Sequence, residues 1–468
     1  MAADETAIDR RAIALLARYR SPAVLLHRPC PPKATGHGTS FFGGLPTLPP
    51  GLEWPRTSGG VPLHFLCQID CADIGWQTPL PGKGILFFFG RDDEEQLWGE
   101  GAPADDCRVL YAPDGAGSGT QAAAPGDLPP VGGDYPRFSF HDIATEGTAQ
   151  SLHVKWPIEP LPMDSLPDTD GLPDVVREFD RSARRFHRAF RLRPFLRLLF
   201  PWMRRFPQTY RPSPDQPVWD RYGELLPRAR ALAFEDATGE DIREEQGPAF
   251  GWQQGLRIFG DESFPQRWVF IHFFARAALR RHRSSGAFDH PAPSAEARLD
   301  DEAQTWLERS RAALPDAIPD AEVRREFRAW MSGIGRRPGE ASPGYRALDW
   351  LRTAAVWAIR TWASEPDLAA AIPASVHDGT KDLFATNSVQ RGEERDWYRF
   401  QFSQMLGHAP ASQGAKAADD PEICLLNLAS DSGLGWSFGD AGECSFWIAP
   451  GDLARRDFSR VRGTIEGH

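Results

Sequence analysis

The residues best equipped for chemistry lie near the C-terminus, where Asp431, Asp440 and Glu443 flank Trp436 in a glycine-rich turn between two apolar runs. Carboxylates gathered in this way, with Asp70 as a further partner, supply oxygens that coordinate a hard cation or carry protons in acid–base catalysis. A plainer reading stands beside it. Asp431 and Asp440 close turns through side-chain to backbone hydrogen bonds, and Gly433, Gly435, Gly439 and Gly442 supply positive φ. Gln68 and Asn427 are amides set within apolar runs, and a buried amide must find partners. Trp54, Trp98 and Trp436 add aromatic surfaces against which a ligand packs. The ligand-binding candidates are therefore Trp54, Gln68, Asp70, Trp98, Asn427, Asp431, Trp436 and Asp440.

The remaining chemistry is sparse. Cys67 and Cys71 stand four residues apart with His64 close by, but the six cysteines, at 30, 67, 71, 107, 424 and 444, make neither a paired short-spacing zinc pattern nor a disulfide framework. Isolated cysteines of this kind behave as small buried apolar residues, so no metal is expected on them. A glycine-rich phosphate loop, a nucleophile elbow and a His-Glu-x-x-His helix are all missing. No cofactor is expected.

Composition narrows the class. A chain of 468 residues, 41% hydrophobic with 16 Trp, is long enough for two or three compact units with cores of their own. Its net charge of −11 argues against general nucleic-acid binding, which depends on clustered positive charge. Only five of the 53 basic residues are Lys, so arginine clusters carry the imprint of composition as much as of phosphate recognition. Residues 4–20 read as an amphipathic helix rather than a signal peptide, and no apolar stretch is long enough to span a bilayer. A reducing cytoplasm is the expected location.

Strands must position the candidate residues. Val24 to Leu26, Leu63 to Ile69, Gly84 to Phe89, Arg108 to Tyr111, Ser151 to Pro157, Ile423 to Leu428 and Cys444 to Ile448 are short apolar runs bounded by Pro and Gly. Pro160, Pro162, Pro167 and Pro173 read as a boundary, after which the period changes. Val176, Phe179, Ala183, Phe186 and Phe190 line one helix face, with Arg181, Arg184, Arg185 and Arg188 off it. Those four arginines are the partner-surface candidates. The stretch 177–205 also has the composition for contact with an anionic membrane surface, though a Phe stripe packed into a core with solvated arginines is favoured. Helices are expected at Tyr222 to Phe234, Arg267 to Arg283, Asp300 to Leu314, Ala321 to Met331 and Tyr345 to Ala363, where Trp350, Leu351, Ala354, Trp357, Ala358 and Trp362 suggest packing between helices.

The two strand-rich ends echo each other. Gln68 precedes Gly84 by sixteen residues and Asn427 precedes Gly442 by fifteen, while Gly43-Gly44-Leu45-Pro46 corresponds loosely to Leu406-Gly407-His408-Ala409-Pro410. Two pseudo-symmetric β-units would produce this; so would the general likeness of short hairpins.

The ends together resemble the YwqG-like family, bacterial domains without an agreed reaction. The resemblance rests on Gly43 to Pro46, Trp54-Pro55, Phe65 to Asp70, Leu80 to Phe88, Ser430-Asp431, Trp436, Gly439 to Gly442 and Phe446 to Ile448, covering about residues 35 to 160 and 395 to 468. Asn427 departs from the Gln common in the family and Phe438 from a second Trp, and the central insert is unusually long. The resemblance implies an α+β fold, in which a β-rich domain formed by residues 1–163 and 393–468 is interrupted by a mainly helical insertion at 164–392. The function expected is that of a ligand- or protein-binding module, its partner an unidentified protein or small molecule. The alternative is a metal-assisted hydrolase using Asp70, Asp431 and Asp440.

Overall fold

Alternation decides the architecture. In the most apolar runs that become strands, such as Phe65–Asp70 and Ile85–Phe89, apolar residues occupy both parities, so these strands are buried on two faces and must lie within layered structure. The computed structural model describes residues 21–32, 39–92, 107–115, 121–131, 151–165, 248–280, 293–336, 342–384, 403–408, 421–431, 433–439 and 442–466. The chain divides into two units, residues 1–239 with 384–468, and residues 240–383. With two antiparallel sheets and several helices, the fold is α+β.

The first unit contains two antiparallel sheets. In chain order its strands are β1 (Ser21–His27), β2 (Phe41–Phe42), β3 (His64–Asp70), β4 (Ile85–Gly90), β5 (Cys107–Ala112), β6 (Trp156–Pro157), β7 (Glu159–Ser165), β8 (Gln404–Leu406), β9 (Ile423–Ala429), β10 (Glu443–Ile448) and β11 (Arg462–Glu466). Sheet A runs β11-β10-β9-β8-β1-β7 and sheet B runs β5-β4-β3-β2-β6. The sheets pack face to face: Phe88 of β4 meets Phe446 of β10 at 5.3 Å between ring centroids, and Tyr111 of β5 meets Phe458 at 5.5 Å. Cys67, paired with Phe88, and Leu426, paired with Phe446, share this inner layer.

The echo in the sequence is a repeat in the structure. β5-β4-β3-β2-β6 corresponds in order to β11-β10-β9-β8-β1, and the registers agree at the positions named next. Phe41 pairs with Gln68 as Gln404 pairs with Asn427. The Cys71 amide donates to the Gly84 carbonyl at 2.8 Å, as Ser430 donates to Gly442 at 3.0 Å. After each short strand come two residues of positive φ, Gly43 and Gly44 at 59° and 69°, Leu406 and Gly407 at 62° and 67°. A β-carbon on Gly43 would stand 2.2 Å from the Val154 carbonyl oxygen, so the first turn admits only glycine.

One expectation needs correction. The proline-rich stretch read as a boundary contains β7, because β7 is the outer strand of sheet A, where a missing N–H can face away from the ladder. A short helix, α8 (Pro450–Arg455), precedes β11.

The second unit is helical among its described residues: α1 (Pro248–Phe259), α2 (Trp268–Arg280), α3 (Pro293–Arg311), α4 (Ala321–Gly333), α5 (Tyr345–Trp362) and the short α6 (Pro366–Ala370) and α7 (Ala374–Asp378). Asp320 caps α4, accepting from the Val323 amide at 2.8 Å. α5 buries Leu351, Ala354, Trp357, Ala358 and Trp362, with Trp357 against Phe273 of α2 at 5.7 Å, the interhelical packing that its spacing predicts. The expected helices at 4–20 and 222–234, and the arginine face at 181–188, lie outside the described residues.

Candidate functional site

Two polar arrangements stand out in the sandwich, one between its sheets and one, also buried, on the face of sheet A turned away from sheet B. Between the sheets, Arg28 follows the apolar run of β1 and Asp431 follows β9. Arg28 Nε donates to Asp431 Oδ2 at 2.8 Å and Nη2 to Oδ1 at 3.1 Å, with both side chains fully buried. Nη2 also donates to the Phe384 carbonyl at 3.2 Å, and the guanidinium lies 4.5 Å from the centroid of Trp156. The Gly433 amide adds a third donor to Asp431, at 2.7 Å to Oδ1. Asp431 and Trp436 exchange backbone hydrogen bonds at 3.1 and 3.0 Å, closing the turn between them. Asp431 is thus the buried anchor of that turn.

Trp436 sits against Phe42 at 5.0 Å and His153 at 5.7 Å, and its Nε1 has no hydrogen-bond partner. His153 Nε2 lies 3.2 Å from Asp92 Oδ2, both side chains nearly inaccessible to water. The Asp92 backbone N–H donates to His64 Nδ1 at 3.1 Å, so His64 carries its proton on Nε2 and donates to the Pro129 carbonyl at 2.9 Å. Sequence reasoning missed Arg28, Asp92 and His153. The available signal was positional: Arg28 stands two residues after the apolar run Ala23–Leu26, and an Arg carried into the interior is seldom left without an acid.

The second arrangement is on the outer face of sheet A. Gln404, Asn427, Ser445 and Thr464 are opposite one another on β8, β9, β10 and β11, forming a polar row across four strands. On sheet B the same positions are Phe41, Gln68, Phe87 and Leu110. There Phe41 and Phe87 belong to an apolar cluster with Leu48, Leu63, Phe65 and Phe89, against which Leu52 and Trp54 pack. Gln68 is paired at both ends of its amide: Oε1 accepts from the Thr47 amide at 2.9 Å and its hydroxyl at 3.0 Å, and Nε2 donates to the Thr39 carbonyl at 2.6 Å.

Sheet A lacks that closure. Gln404 Nε2 donates to the carbonyls of Leu406 and His408, each at 2.9 Å, which fixes the amide's orientation and leaves Oε1 without a partner. Asn427 Nδ2 donates to Ser445 Oγ at 2.9 Å, and Oδ1 has no partner either. Both side chains are wholly buried. Two adjacent carbonyl oxygens buried without donors are costly, and most native groups of this kind are paired. Glu443 and Glu466 are opposite each other one step along the same face, while Trp447, on its other side, donates from Nε1 to Thr464 Oγ1 at 3.0 Å.

The structure distributes the sequence-derived candidates over three places. Asp431 and Trp436 come together between the sheets. Gln68 and Asn427 lie on opposite outer faces, each one residue out of phase with the inward pair Phe88 and Phe446. Asp70 accepts from Thr39 Oγ1 and the Ala72 amide, each at 2.9 Å, and so caps the turn after β3. Trp54 donates from Nε1 to the Leu63 carbonyl at 2.8 Å and stands edge-on to Phe89. Trp98, Asp440, Arg181, Arg184, Arg185 and Arg188 lie outside the described residues. Among the described residues no three His, Cys, Asp or Glu side chains are grouped to hold a metal ion, and no helix is long and apolar enough to cross a membrane.

A family model described as a domain of unknown function, DUF1963, matches residues 40–188 and 359–466. These segments make up more than half of the chain and contain the paired hairpins of both sheets. No curated protein matches the chain.

Proposed function

The chain belongs to the DUF1963 family, a domain of unknown function, and from that premise we propose that its β-sandwich is a ligand- or protein-binding module of the YwqG-like kind, working in the bacterial cytoplasm. The binding surface is the outer face of sheet A around Asn427. One observation carries this reading: Gln404 Oε1 and Asn427 Oδ1, buried on paired residues of neighbouring strands, lack hydrogen-bond donors, while the equivalent face of sheet B is apolar and its one amide is paired at both ends. A repeat that keeps unpaired buried polar atoms on one side only has traded stability for recognition. The central segment 164–392, with its arginines at 181, 184, 185 and 188, is the helical guest and a second surface for a protein partner.

The test compares intact wild-type protein with a Gln404→Met/Asn427→Leu variant. Both are purified from the native host, and their denatured extracts and captured proteins are analysed by mass spectrometry. The expected result is a bound species specific to the wild type, with the variant folded and no less stable. Identical recoveries from the two proteins would defeat the proposal.

A further inference from the structure

We propose that the Asp114–Gly115 bond is a site of spontaneous backbone modification, at which the aspartate isomerises to isoaspartate while the chain stays folded. The inference stands apart from the binding reading above. The Gly115 main-chain nitrogen attacks Asp114 Cγ and the carboxyl group loses water, closing a succinimide ring. A second water then opens the ring at either carbonyl. Opening at one restores aspartate; opening at the other leaves the chain running through the β-carboxyl, one methylene longer, with a free α-carboxylate. One water leaves and one is taken up, and no oxidant or cofactor takes part.

Glycine after aspartate leaves this attack least hindered, because no β-carbon stands beside the nucleophilic nitrogen. Two such pairs lie among the described residues, Asp114–Gly115 and Asp378–Gly379, and the fold treats them differently. Asp114 follows β5, the outermost strand of sheet B. Its side chain is 94% exposed, and its ion partner, Lys83 Nζ at 3.7 Å, is 70% exposed, so the pair does little to hold the carboxylate in place. The Gly115 amide donates to the Ala112 carbonyl at 3.2 Å. A β-carbon on Gly115 would meet nothing within 4 Å, so its peptide has room to turn toward Cγ. Asp378 instead ends α7, and the Gly379 amide donates to the Ser375 carbonyl at 3.0 Å. Gly379 is buried against α1: a β-carbon there would stand 2.4 Å from Ile258 Cγ1 and 2.9 Å from the Gln254 carbonyl oxygen. Attack at that pair must wait for local opening of the helical unit. At Asp114 the added methylene falls at a sheet edge, beyond which no strand lies among the described residues, and such positions tolerate a change in chain length.

The experiment ages the full chain for weeks in warm, near-neutral buffer made with heavy-oxygen water, beside an Asp114→Glu variant and a urea-unfolded sample of the wild type. Each ring that opens fixes one heavy oxygen in the peptide, and electron-transfer fragmentation in the mass spectrometer separates isoaspartyl from aspartyl peptides. In the folded chain, label and isoaspartate are expected at Asp114 at least about tenfold above Asp378, which corresponds to an opening cost of about 1.4 kcal/mol or more at the helical pair. In the unfolded chain the two pairs should label alike. Asp114→Glu should lose the signal at position 114, because its longer side chain has to close a larger ring. Folded protein without label at Asp114, or with less than that excess over Asp378, would overturn the assignment. An unfolded chain that keeps the same excess would overturn it too, since local sequence and not the fold would then select the site. Label that persists at position 114 in Asp114→Glu would exclude the succinimide as its route.

Discussion

Arg28 and Asp431, 403 residues apart in sequence, meet in a two-pronged ion pair with both side chains fully buried. Removing either partner strands the other charge in the interior, which costs about 3–5 kcal/mol. Arg28→Met or Asp431→Asn should therefore destabilise the sandwich by roughly that amount, whereas Arg28→Met with Asp431→Leu should recover much of the loss. Urea unfolding of the four proteins in a double-mutant cycle measures the coupling. Additive losses would show that the pair does not act as a unit.

Gln68 and Asn427, equivalent in the repeat, should respond oppositely to the same change. Gln68→Leu abandons the Thr47 amide and the Thr39 carbonyl and should cost about 2–3 kcal/mol. Asn427→Leu loses one hydrogen bond, to Ser445, but also removes an unpartnered oxygen, so its stability should stay within about 1 kcal/mol of wild type or rise. Chemical denaturation of both variants decides it. A loss at Asn427 equal to that at Gln68 would assign Asn427 a structural role.

Gly43 and Gly51 both have positive φ, but only Gly43 faces backbone. A β-carbon at Gly43 would meet the Val154 carbonyl at 2.2 Å, whereas one at Gly51 meets nothing within 4 Å. Gly43→Ala should cost about 3 kcal/mol or more, combining strain with collision, and Gly51→Ala about 1–2 kcal/mol from strain alone. Thermal unfolding midpoints of the two variants would rank them. An equal drop would remove the close approach as the reason for glycine at position 43.

These residues also mark where sequence was informative. Strands β3, β4, β9 and β10 were legible because each is a largely apolar run with Gly, Pro or Asp close to its ends, and the hairpin spacing disclosed the repeat. Asn427 was legible as a polar interruption in such a run. Gln404 was not, since β8 has only three residues and ends in Leu406 at a φ of 62°, a conformation that leucine does not advertise. β7 was hidden by Pro160 and Pro162, which are acceptable because, among the described residues, no strand lies beyond it. Asp431 was visible as a turn residue, but its arginine partner is a tertiary fact that no local spacing encodes. The separation of Gln68 from Asn427 followed the same rule. A period of two assigns faces within one sheet, and only the stacking of two sheets decides which faces turn outward.

His377, in the helical unit, gives a pH signature. Burial pushes its pKa from 6.5 down to about 4, opposed by the nearby charge of Asp378. The folded unit therefore holds the ring neutral where the unfolded chain would protonate it. Between pH 6.5 and about 4 the unfolded state binds the extra proton, so this contribution is complete above pH 6.5 and is lost as the pH falls through that window. The size is at most about 3 kcal/mol, trimmed by the part of the ring that water still reaches. His377→Leu should flatten the fall in unfolding free energy between pH 7 and pH 4.5 relative to wild type, with other acid-sensitive groups common to both proteins cancelling in the difference. Denaturant unfolding at the two pH values supplies it, and a variant whose stability falls as steeply as the wild type's would mean that the ring is protonated in the folded unit.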